Sequence, residues 1–195
     1  MVSIALMELD TELGKLRLSA SIIPIRLISI GGYTAVKYLG NRESTFDIDY
    51  ILDPALEKMN QIKQAIKAAI SAVAEARDCQ HTWMNDDCRV FTGGPQRRLA
   101  LFNAALEQNV VLWSSKHLII YAGQWQWALG LKLRRIAENR SQKDLDDAVC
   151  ILKVLNNSYD PLSKSYIRGL IPNQSGTFDL IVQSYEAKYG KIGTE

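Results

Sequence analysis

The chain has 195 residues, 47% of them hydrophobic and 23% charged, which is the composition of a globular protein that offsets its chain entropy by burying Leu, Ile and Val. Twenty-three Lys and Arg stand against 21 Asp and Glu, a formal charge of +2. That balance excludes the whole-surface positive field of a non-specific nucleic-acid binder, though not a local basic groove.

Residues 1–9 contain Glu8 and no basic side chain, so no secretory signal is expected there. Leu6, Leu9, Leu13 and Leu16 recur near the helical period and predict a packing helix over 6–20. Pro24 stops it, and 25–30 predicts a buried strand ending at Gly31-Gly32. A short helical segment is expected over 33–39, closed by Gly40-Asn41, where glycine adopts a positive φ. Residues 46–52 begin by alternating apolar and polar, which predicts a strand entering the core and stopped by Asp53-Pro54.

From 55 to 77, Leu56, Met59, Ile62, Ile66, Ile70 and Val73 form the apolar stripe of one long helix. The pattern weakens over 79–90, where Trp83, Met84 and Val90 surround a polar Asn85-Asp86-Asp87 patch, and Gly93-Gly94-Pro95 marks a turn. Strands are expected over 110–113 and 118–121, either as one hairpin or as separate members of a sheet. Beyond Ala122-Gly123 the pattern is helical, over 124–138, 142–155 and 174–189. The apolar runs near 22–30 and 110–122 are interrupted by Pro24 and Arg26 and by Ser114 to His117, so neither predicts a membrane span. Cys79, Cys88 and Cys150 have no framework spacing and predict a reducing, cytoplasmic setting. The expected architecture is a mixed α+β fold. A small mixed β-sheet flanked by helices occupies 1–122, and a helical C-terminal region over 123–195 packs on that core.

The chemistry centres on Gly31-Gly32, Arg42, Ser44-Thr45 and Asp47-Ile48-Asp49. Residues two apart on a strand share a face, with Cα atoms about 6.5–7 Å apart. Asp47 and Asp49 would therefore converge, and two such carboxylates repel unless a cation or a proton lies between them. Mg²⁺ or Mn²⁺ suits these hard oxygens and keeps coordination sites for phosphate. The glycine pair lets a phosphate approach the backbone. Arg42 would neutralise phosphate or tie its loop to the carboxylates. Ser44 and Thr45 would donate to phosphate, with Thr45 alternatively fixing the start of the strand.

Ile30-Gly31-Gly32, Ala35, Gly40, Arg42, Thr45 and Asp47-Ile48-Asp49 resemble the signature of the nucleotidyltransferase superfamily of the polymerase-beta type, and more closely its minimal and AbiEii-like branches. The resemblance covers 28–52 most directly. It implies that Asp47 and Asp49 hold divalent metal and a nucleoside triphosphate, and that a third carboxylate comes from a later strand. The expected strands at 110–113 and 118–121 contain no Asp or Glu, and Asp86 or Asp87 would have to be delivered by a loop.

Trp83-Met84-Asn85-Asp86 resembles a further element of this branch, as do Lys132, Arg140, Lys143-Asp144 and Asp147. Lys132 and Arg140 would then reach phosphate. Asp144 would either cap a helix beginning at Ser141 or bridge back to Lys132 or Arg140.

The implied reaction moves a nucleoside monophosphate from a nucleoside triphosphate to an acceptor on a small molecule, an RNA end or a protein side chain. A base would stack on Tyr33, Tyr121 or Trp127. The rival readings are a catalytically silent nucleotide-binding or toxin–antitoxin-like regulatory protein, and an interaction module using Trp113, Trp125 and Trp127. A homodimer is compatible with the size.

Overall fold

The computed structural model describes residues 2–16, 18–158, 163–170 and 175–192. Arg17, inside the first expected helix, and Gln174, the expected start of the last, lie outside them. The fold is mixed α+β, a small central sheet with flanking helices followed by a helical C-terminal region. The chain forms two compact units, Met1–Tyr38 with Arg42–Gln124, and Leu39–Asn41 with Trp125–Glu195.

In the first unit, β1 (Ile25–Ile30) is the centre of a five-stranded sheet and buries every residue but Arg26. On one side it pairs antiparallel with β2 (Ile48–Leu52), which pairs parallel with the two-residue β3 (Met84–Asn85). On the other it pairs parallel with β5 (Leu118–Ala122), which pairs antiparallel with β4 (Val111–Ser114). The two late strands therefore form one hairpin.

Helix α1 (Val2–Lys15) turns Ala5, Leu6, Leu9 and Leu13 inward and stops before Leu16. It packs on α4, and Arg77, which caps that helix, donates two hydrogen bonds to Glu8 at 2.5 and 2.6 Å. The long helix expected over 55–77 is two helices. Asp53 caps α3 (Pro54–Glu57) by accepting from the Ala55 N–H at 2.9 Å. Lys58 and Met59 then break the path before α4 (Asn60–Ala76). Met59 is consequently 48% exposed, although it fits the apolar stripe of a continuous helix. A 3-10 turn (Asp87–Thr92) leads to α5 (Pro95–Gln108), which carries Pro at its first turn, buries Leu101, Phe102 and Ala105, and ends at Asn109 with φ 52°.

Between β1 and β2 the chain makes α2 (Gly32–Thr34) and a π-turn (Ala35–Leu39), closed by Gly40 at φ 65° as the sequence predicts. In the second unit, α6 (Trp125–Asn139) and α7 (Gln142–Ser158) pack together, and α9 (Ser175–Tyr189) packs on both and on α8 (Lys164–Leu170). Leu129, Leu133 and Ile136 of α6 are buried, as are Leu145, Val149 and Leu152 of α7, each contributing about 2 kcal/mol of apolar burial. Among the described residues, no helix is long and apolar enough to cross a membrane.

Candidate functional site

Ile30, the last residue of β1, is registered against Asp49 of β2, so the chain enters Gly31 directly beside that carboxylate. Gly31 has φ 91° and ψ −141°, a region closed to residues with a Cβ. A Cβ built on it would lie 3.0 Å from Asp49 Oδ2. On Gly32, a Cβ would overlap Thr45 Oγ1 and lie 3.7 Å from Arg42 Nη1. Gly31, Gly32, Arg42, Thr45 and Asp49 therefore meet at one turn, and Arg42 and Asp49 are both engaged in interactions within the protein. The missing Cβ atoms first admit the protein's own carboxylate and hydroxyl, in room that the sequence pattern assigns to a phosphate.

The turn is braced from below. The fully buried Ser29 donates its hydroxyl to the Asp49 carbonyl at 2.8 Å. Its own carbonyl accepts from Thr34 Oγ1 at 3.1 Å and from the Gly123 N–H at 2.8 Å. The Ala35 N–H donates to the Gly31 carbonyl at 3.2 Å. These bonds fix the backbone on which Asp49 stands.

Asp47 is placed differently from the expectation. It precedes β2, because β3 captures the chain only where the Ile48 N–H donates to the Trp83 carbonyl at 2.8 Å. The strand expected over 46–52 thus begins two residues late, with Asp47 immediately before it. Its position is set by a loop in which Thr45 Oγ1 donates to the Asp47 carbonyl at 3.1 Å, so Thr45 fixes the start of the strand. Asp47 is half-buried, Ser44 is exposed, and the intervening Phe46 is 95% exposed.

Across β2, Asn85 stands in register with Asp49. Its side chain is spent locally, donating to the Thr82 carbonyl at 3.2 Å and accepting from the Asp87 N–H at 3.0 Å. Asp86 is held by Lys67 at 3.1 Å and Lys63 at 3.9 Å. Cys88 donates to the Tyr50 carbonyl at 3.3 Å. Burial pushes its thiol well up, and the charges of Asp49, Asp86 and Asp87 push it further. Those three carboxylates thus act on one buried atom. Among the described residues, no group of three or more His, Cys, Asp or Glu side chains is gathered as a metal site.

The aromatic residues expected to stack a base are largely interior. Tyr33 is 1% exposed, with burial pushing its phenol up to about 12, and Trp127 is buried. Trp125 is buried as well, while Trp113 is half-buried and donates to Ser115 Oγ at 3.3 Å. The three cysteines are free.

In the helical unit, Lys132 is buried and its ammonium is bound by Asp144 at 2.9 Å and Asp147 at 2.7 Å. Arg135 joins Asp144 at 3.1 Å, and Asn41 donates to Asp147 at 2.8 Å. Ser141 caps α7, accepting from the Asp144 N–H at 3.3 Å. Ser141 is thus the cap, and of its two expected roles Asp144 takes the bridge, its carboxylate lying on Lys132. Burial alone would raise that carboxyl. The hydrogen bond and charge of Lys132, with Arg135 and Ser141, outweigh it and hold Asp144 below the usual carboxylate range.

Arg140 is exposed in the turn between α6 and α7 at φ 48°, outside this cluster. Arg135 and Asn41 join the cluster without belonging to any of the sequence motifs. Arg135 lies three residues beyond Lys132 on the same helix, a legible spacing, whereas nothing local marks Asn41. No family model matches the chain, and no curated protein or solved structure matches it either.

Proposed function

We propose that the chain is a Mg²⁺- or Mn²⁺-dependent nucleotidyltransferase that moves a nucleoside monophosphate from a nucleoside triphosphate to an acceptor hydroxyl, with release of pyrophosphate. The observation that carries this reading is Asp49 Oδ2 standing against Gly31, a carboxylate oxygen beside side-chain-free backbone at the end of a sheet. Asp47 and Asp49 would hold the cation, since both offer hard oxygen donors. When bound, the cation supplies charge neutralisation on the phosphates as the bond breaks. Asp86 is taken by two lysines, and no third carboxylate is gathered with Asp47 and Asp49 among the described residues.

Arg42, beside Gly32, faces developing phosphate charge in this reading, and Ser44 offers a hydroxyl donor, that of Thr45 being given to the Asp47 carbonyl. Lys132 acts by holding Asp144 and Asp147, and no phosphate contact is assigned to it or to the exposed Arg140. The acceptor is a hydroxyl of a small molecule, an RNA end or a protein side chain. A cytoplasmic site of action fits the three free cysteines.

Calorimetric titration with a non-hydrolysable ATP analogue and Mg²⁺ tests the site. Binding by the parent and its loss in Asp47→Asn/Asp49→Asn, at an unchanged melting temperature, is the expected result, and equal affinity in the variant sinks the assignment. A second reading, a silent nucleotide-binding protein such as the regulatory half of a toxin–antitoxin pair, is favoured by the lack of a three-ligand group among the described residues. Incubation with labelled nucleoside triphosphates and cell extract separates the two. Transfer of label supports the enzyme, and binding without transfer supports the silent protein.

A further inference from the structure

We propose that Phe46 is the stacking face for the nucleobase of the nucleoside triphosphate. The inference rests on the nucleotide reading above and adds to it the residue that holds the base. Phe46, the glycine turn and the two aspartates all belong to the first unit.

A phosphate chain seated at the glycine turn needs a flat apolar partner for its base. Of the rings that the sequence suggests, Tyr33 and Trp127 are buried and Tyr121 is half-buried on an inner strand of the sheet. Phe46 is 95% exposed, the most open of the large apolar side chains among the described residues. An exposed apolar side chain is ordinary by itself. Phe46 is set apart by its place. Among the described residues, no other large apolar side chain so open to water is joined by a peptide bond to a residue of the candidate site. On one side stands Asp47, a candidate metal ligand, and on the other Thr45, whose hydroxyl fills the Cβ position of Gly32. The backbone beneath the ring is pinned. Thr45 Oγ1 donates to the Asp47 carbonyl at 3.1 Å, spanning Phe46, and the Ile48 N–H donates to the Trp83 carbonyl at 2.8 Å. Consecutive Cα atoms are about 3.8 Å apart, so Phe46 starts one residue from the glycine turn's neighbour and one from the first carboxylate. A ring on a fixed backbone surrenders little freedom when a ligand covers it, which is the property a stacking platform needs. Every base has a π-face, so such a platform supplies affinity while tolerating different bases.

The test titrates the parent and Phe46→Ala, each with Mg²⁺, with two ligands: the non-hydrolysable ATP analogue, and inorganic tripolyphosphate, which keeps the phosphates and lacks the base. Phe46→Ala should bind the analogue about tenfold more weakly, the weight of one base–aromatic contact, and should bind tripolyphosphate as the parent does. Phe46→Trp should keep the parent's affinity for the analogue. Its added indole fluorescence should be quenched by the analogue and not by tripolyphosphate, a signature that a merely structural ring does not produce. Equal weakening of both ligands in Phe46→Ala overturns the inference, as does undiminished binding of the analogue, and either result leaves the nucleotide reading standing. A parent that binds neither ligand overturns the nucleotide reading, and the inference with it.

Discussion

A methyl group on Gly32 would occupy the space of the Thr45 hydroxyl, whereas one on Gly130, exposed within α6, would meet nothing within 4 Å. The same substitution should therefore have opposite signs at the two positions. Gly32→Ala must displace Thr45 or the backbone and should cost about 1–3 kcal/mol. Gly130→Ala removes unfolded-state freedom in a helix interior and should add about 0.5–1 kcal/mol. Urea unfolding of the two variants measures both. At this scale, the approach of Asp49 to Gly31 is legible, because both stand at the mouths of strands joined by a short helix. The loop placement of Asp47 is not. It follows from where β3 captures Ile48, a contact 35 residues away in sequence that no local alternation reports.

Helices read well where an apolar stripe runs unbroken and poorly where a boundary depends on one turn. Helices α6 and α7 fall close to their expected spans and α1 lies about a turn earlier than expected, while α3 and α4 part at Met59 despite a stripe that continues through it. Helix α5 is hidden in the sequence pattern. Its polar, basic first turns mask Leu101, Phe102 and Ala105, although Pro95 and Asn109 are serviceable start and stop signals. The pairing of α6 with α7 gives a sharper test. Asp144→Asn leaves Lys132 with Asp147 and deprives Arg135 of its carboxylate, so it should cost about 2 kcal/mol at neutral pH, measured by urea unfolding. On α1, Leu9→Ala opens a cavity beneath a fully buried side chain and should cost about 2–4 kcal/mol by the same measurement.

Acid response belongs to the whole molecule, because carboxylates held below their ordinary range occur in both units. The Arg77 hydrogen bond lowers Glu8. Burial opposes ionisation of Asp10, but the bonds from Ser115 and His117 prevail, and Lys132 and Arg135 do the same for Asp144. Each of these groups ionises more readily in the folded chain than in the unfolded one, so the folded state binds fewer protons in acid. Their stabilisation is complete above the unfolded carboxylate value near pH 4 and is lost as pH falls through the lower folded values. The urea midpoint should accordingly hold steady from pH 7 to about 5 and decline below about 4. In Asp144→Asn the acid decline should be shallower.

The sheet's outer strands have a consequence for behaviour at high concentration. One border is the two-residue β3, followed by Asp86 and Asp87, and the other is the four-residue β4, whose pairing with β5 is interrupted by an irregularity between Val111 and Trp113. Neither offers a long, flat row of unpaired backbone groups to a neighbouring molecule, so edge-to-edge growth into fibrils lacks a template while the fold is intact.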